Sequence, residues 1–102
     1  MTRSEIIFNY NQAIKQAARL EEIAGNIERI ATDKMENSIG MLKNAWRSDN
    51  SPQFYSKIGQ VQSDIQGDAK SIRKVAQSIR ETAERIKQAE LRALEIAQNR
   101  TY

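Results

Sequence analysis

The chain has no cysteine and no histidine. Without cysteine there is no disulfide framework, no thiolate nucleophile and no zinc-finger spacing. Without histidine the commonest general base and the commonest metal ligand are missing. Most nucleophilic and zinc mechanisms are therefore closed to it, and so is a di-iron bundle, which needs inward Glu-x-x-His pairs. Proline occurs once, glycine four times, and aromatic residues make up 6% of the chain. No glycine-rich phosphate loop is present. No apolar run approaches the ~20 residues needed to span a bilayer. The N-terminus lacks a basic region followed by an apolar core, so no Sec-type signal is expected. The absence of cysteine also suits an oxidising exterior. The reading is a non-enzyme with no cofactor and no metal, and one domain over residues 1–102.

A strong charge of one sign is missing as well. Residues 1–51 hold seven basic and seven acidic side chains, and residues 52–102 hold nine and six. The net charge of +3 thus comes from the second half. Lys70, Arg73, Lys74 and Arg80 lie close together and could meet phosphates. Asp64, Asp68, Glu81 and Glu84 are interspersed, and no aromatic residue stands nearby to stack on bases. A solvated face of mixed charge is the simpler account.

What the chain does have is a repeat. After the only proline, isoleucine recurs at a seven-residue step: Ile58, Ile65, Ile72, Ile79 and Ile86. Beside it run Val61, Val75, Ala89 and Ile96 on one flank and Ala69, Ala76, Ala83 and Ala97 on the other. A strict heptad of apolar residues lays a stripe along one face of a helix and coils that helix left-handed around its neighbours. The first half carries a matching pattern. One register reads Ile6, Ala13, Leu20, Ile27, Lys34, Met41, and its companion reads Tyr10, Ala17, Ala24, Ala31, Ser38, Ala45. Ile23 and Ile30 widen the stripe.

These patterns predict two long helices. The first spans about 4–46, roughly 60 Å at the rise of an α-helix. Thr2 with Glu5 fits a capping box, with Met1 and Ile6 placed for a hydrophobic staple, and Ser4 is an alternative cap. Gly25 and Gly40 each cost about 1 kcal/mol in a helix interior, and Asp33 to Gly40 is the weakest stretch. Residues 47–51 form the turn. Ser51 is suited to an N-cap and Pro52 to the first helical position. The second helix then runs about 52–98, with Gly59 and Gly67 softening its first third. Glu81 with Arg85 and Glu84 with Lys87 are exposed pairs worth a few tenths of a kcal/mol each. Two such helices joined by a tight turn predict an all-α antiparallel helical hairpin.

Each stripe is wider than a single neighbouring helix covers, as in a four-helix bundle. Burying an isoleucine is worth about 1.5–3 kcal/mol, and leaving five of them half wet would forfeit much of a small domain's ~5–15 kcal/mol net stability. Two hairpins are therefore expected to dimerise into a four-helix bundle, as a homodimer or as a heterodimer with a related small helical protein. Leu20, Ile27, Ile58, Ile65, Ile72, Ile79 and Ile86 are the candidate core and dimer-interface residues. The alanine registers would let helices approach closely. Lys34, Asp68 and Thr82 fall on core-like positions, where they either set register or reach water.

The turn carries a recognisable signature. A long helix ends in Trp46-Arg47-Ser48, a second helix follows at once with Phe54 and Tyr55 near its start, and the chain totals about a hundred residues. In size, topology and tryptophan position it resembles the WXG family of early-secreted-antigen-like helical hairpins of type VII secretion. The resemblance covers essentially the whole chain. It implies four-helix-bundle dimers exported folded, without a cleaved signal, alone or as partners of larger effectors. The implied location is secreted, with a cytoplasmic pool before export. It also implies that Trp46 packs on the bundle and helps form the surface shown to partners; by itself, a tryptophan there plugs the end of a hairpin. The chain departs from the family at two points. Ser48 replaces the turn glycine, and no tyrosine is followed four positions later by an acid: Tyr10 meets Ile14, Tyr55 meets Gly59, and Tyr102 is the last residue. Similarity then favours a partner or targeting chaperone for an effector that supplies the signal. Rival readings are a cytoplasmic coiled-coil assembly protein and, behind it, a basic nucleic-acid-binding bundle. Membrane insertion is not expected, because the apolar face is needed for packing.

Overall fold

A computed structural model describes residues 1–45 and 51–100. Trp46, Ser48 and the rest of the predicted turn before Ser51 lie outside the described residues. Every element among the described residues is helical. α1 runs Arg3–Arg29, a π-turn spans Ile30–Lys34, α2 covers Met35–Ala45, and α3 extends over Ser51–Gln98. The protein is all-α.

The start of α1 follows from its capping chemistry. The Glu5 amide donates to Thr2 Oγ1 at 3.2 Å, and the Thr2 hydroxyl donates to the Glu5 carboxylate at 3.1 Å. The Ile6 amide closes the first turn on the Thr2 carbonyl. Thr2 is thus the N-cap, satisfying a donor that the helix itself leaves open. Ile6 is buried, while Met1 stays 66% exposed and contributes little as a staple.

The long first helix expected from the sequence is interrupted. The π-turn begins at Ile30, just upstream of the stretch anticipated to be weak. Thr32 sits in it and donates its hydroxyl to the Glu28 carbonyl at 2.8 Å. Such back-bonding by a mid-helix threonine competes with the backbone ladder and favours a local departure from α geometry.

The described chain divides into two compact units. The first joins residues 1–21 to the stretch from 74 onward. There Tyr10 stands against Lys87 and Glu21 against Arg80, so the two helical segments run in opposite directions. The second unit holds residues 22–73. Within it Glu28 meets Arg73, Ala31 meets Gln62 and Lys43 meets Tyr55, again in opposite directions.

The buried residues are small. Among the described residues the buried apolar side chains are Ile6, Ala17, Ala24, Ala31, Ala69 and Ala76, and all five alanines have no exposed surface. Ala17 and Ala76 belong to the first unit, the other three to the second. Alanine at the contact lets helix axes come to the short end of the usual 8–10 Å range. On the neighbouring register of α3, Ile65, Ile72 and Ile79 are only half-buried, although Ile6 of α1 is buried. The stripe that looks dominant in the sequence is therefore not the seam; the smaller register beside it is.

Candidate helix-packing interface

The sequence-predicted interface residues lie beside this seam rather than in it. Leu20, Ile27, Ile58, Ile65, Ile72 and Ile79 are half-buried, and Ile86 is 51% exposed. In the first unit, Ile79 and Arg80 flank Ala76 on opposite sides, because they follow it by three and four residues on a helix. The two flanks differ in chemistry.

On one flank, α3 presents Arg73, Arg80 and Lys87 at a seven-residue step. Arg80 Nε donates to Glu21 Oε2 at 3.2 Å, and a second guanidinium nitrogen reaches the other carboxylate oxygen. That bidentate bond raises the Arg80 pKa above its ordinary value, against a smaller opposing effect of desolvation. Lys87 lies 3.9 Å from the centre of the Tyr10 ring and 3.0 Å from Glu84. The Glu84 carboxyl is held below its ordinary range, first by the Gln88 amide and then by Lys87. In the second unit Arg73 pairs with Glu28. Arg73 and Arg80, half of the basic cluster singled out from the sequence, are thus engaged by carboxylates of α1.

The other flank is apolar and open. In the first unit Ala13, Val75, Ile79, Thr82 and Ile86 line a shallow groove, with Val75 53% exposed. In the second unit Met35, Ile39, Leu42 and Ile58 line another, bordered by Lys34 and Ser38, and Ile23, Ile30 and Val61 are each about half exposed. Such faces are what helices use for ridge-into-groove packing. They are not clefts with convergent polar groups, and among the described residues no cluster of acidic, histidine or cysteine side chains could hold a metal. No helix of the described residues is long and apolar enough to cross a membrane.

Lys34, Asp68 and Thr82, the polar residues on core-like positions, are exposed. Of the pairs expected on α3, Glu84 meets Lys87, but Glu81 accepts from Gln77 and Arg85 donates to Thr82. Sequence reasoning missed two features. One is the ladder of Arg73 and Arg80 with Glu28 and Glu21; the signal was there, since the two arginines are seven apart and so are the two glutamates. The other is Gln62, whose amide reaches the Ala31 carbonyl at 2.6 Å and the Glu36 carboxylate at 3.3 Å. Nothing local to Gln62 announces that contact.

Compared with protein families, curated proteins and solved structures, the chain matches none.

Proposed function

We propose that this chain is a helical hairpin that acts by packing against a second helical hairpin, as a small WXG-like protein of a type VII secretion system. In this reading it is exported folded, or it serves as partner and targeting chaperone for a larger secreted effector, and it carries out no catalysis. The observation that supports pairing is the contrast across the seam. Ala17, Ala24, Ala31, Ala69 and Ala76 are fully covered, while Ile86 and Val75 remain about half exposed on the apolar groove and Val61, Ile23 and Ile30 are exposed to a similar degree. An alanine seam supplies little burial energy, on the order of 0.8 kcal/mol per methyl group. The larger apolar side chains return theirs only when something covers the open flank. The resemblance to the WXG family, carried by length, helix order and the position of Trp46, supplies the secretion context. Neither Tyr10 nor Tyr55 is followed four positions later by an acid, which favours the partner role over export on its own.

Sedimentation equilibrium of the purified chain, alone and mixed with the product of a neighbouring gene, tests the pairing. The expected result is a dimer or a one-to-one complex, weakened by Ile79→Asp. A stable folded monomer in both samples would defeat it. Recovery of the chain in culture medium, lost on deletion of the secretion ATPase, tests the context separately.

A further inference from the structure

The π-turn changes which residues α2 offers. Counting in sevens from Ala17, Ala24 and Ala31 leads to Ser38, which is exposed. Counting from Leu20 and Ile27 leads to Lys34 and Met41, and both are exposed too. The half-buried residues of α2 are Met35 and Ile39, one position later than the heptad count requires. Leu42 follows the same rule, at 38% exposure against 71% for Met41. One extra residue has been absorbed between Ala31 and Met35. A π-turn does that, because it closes from residue i to i+5 rather than i+4.

The hydrogen bonds agree. The Met35 amide donates to the Ile30 carbonyl rather than to Ala31, its α-helical partner. The Ala31 carbonyl, so released, accepts from Gln62 Nε2. Gln62 stands one heptad before Ala69 and two before Ala76, in the register that forms the seam. It is a long amide donor in a row of methyl groups, placed where a displaced carbonyl needs a donor.

We propose that Gln62 locks the phase of α2, and that the π-turn is a two-state element. Closing it to an α-turn would rotate α2 by about 100°, the angle of one residue on a helix. That rotation withdraws Met35, Ile39 and Leu42 from the groove beside Ile58, which Lys34 and Ser38 already border, and brings Met41 toward it. The lock thereby sets which apolar side chains of α2, Met35, Ile39 and Leu42 or Met41, the second unit offers beside Ile58. It holds whether or not the pairing proposed above is correct.

The test exploits the absence of native cysteine. Ile58→Cys is combined with Leu42→Cys in one variant of the full chain and with Met41→Cys in another, and both are treated with a short bis-maleimide at dilution. The locked phase predicts faster internal cross-linking through position 42. Gln62→Leu keeps the bulk and removes the donor, and it should shift the ratio of the two rates toward position 41 by about three- to tenfold, the worth of one net hydrogen bond. Deleting Thr32 removes the extra residue; the preference for position 42 should survive, and Gln62→Leu should no longer alter it. Equal or faster cross-linking through position 41 in the parent, or a ratio indifferent to Gln62→Leu, overturns the proposal. If circular dichroism shows that the deletion does not fold, Gln62→Leu in the full-length chain alone decides.

Discussion

The two units are built from the same kinds of helix and differ in how their sequences support them. The unit formed by residues 1–21 and the stretch from 74 onward contains no glycine and no proline. Its heptad runs without a break, its first turn is capped, and Arg80, Lys87 and Glu84 are tied by ion pairs and a cation–π contact. The unit of residues 22–73 contains all four glycines, the proline and the π-turn. Each glycine removes about 1 kcal/mol of helix propensity relative to alanine. The comparison teaches that continuity of secondary structure and uniformity of local stability are separate properties. α3 passes through both units as one helix, yet its two parts have different means of staying helical.

The sharpest way to break this contrast is in the better-supported unit. Ile6→Ala removes the one large side chain fully buried among the described residues and should cost about 2–5 kcal/mol, read as a lower midpoint in chemical denaturation. A change below about 1 kcal/mol would mean that the first turn frays and that Ile6 is not part of the core. Next is the seam of the other unit. Ala69→Leu forces bulk into a fully buried position and should cost about 1–3 kcal/mol, whereas Ala89→Leu, at an exposed position on α3, should be nearly neutral in the same assay.

Smaller effects sharpen the comparison from the opposite side. A Cβ built on Gly40, Gly59 or Gly67 meets no neighbouring atom, and each of these residues is helical. Each change to alanine should therefore stabilise by about 0.5–1 kcal/mol. Amide exchange in residues 22–73 should slow with the triple variant, while the other unit is unaffected. An unchanged exchange profile would show that glycine is not what distinguishes the units. Arg73→Gln, which removes a largely exposed pair with Glu28, should cost no more than about 1 kcal/mol and should cost less in high salt.

The smallest expected effect is a pH dependence. Glu84 has its pKa lowered in the folded chain by Gln88 and Lys87. A lowered carboxyl contributes stability above its unfolded pKa and loses it as pH falls through the folded value. Melting temperatures of the parent and Glu84→Gln should thus converge on acidification through the carboxylate range. Divergence on acidification would mean the sign is wrong.

Much of this was legible in the residues. The all-α class, the capping by Thr2 and Glu5, and the usefulness of the alanine registers follow from spacing and side-chain chemistry, which act within a turn or two of helix. The ranking of the two stripes did not follow. By hydrophobicity the Ile58-to-Ile86 series outweighs its alanine neighbours, yet Ala69 and Ala76 are the residues buried while those isoleucines are half-buried or exposed. The phase change at Ala31 was written in the sequence as Lys34 and Ser38 on apolar registers. It reads there equally well as two polar residues reaching water.

Composition and period alone determined that this chain forms helices, which faces of them are apolar, and that histidine and cysteine chemistry are closed to it. Those properties are local: they depend on residue type and on neighbours a few positions away. Tertiary structure decided which apolar face became the seam, where a π-turn absorbs a residue, and that Gln62 answers the carbonyl so released. Those outcomes depend on groups tens of residues apart meeting at a set distance, and that distance is fixed by packing between helices.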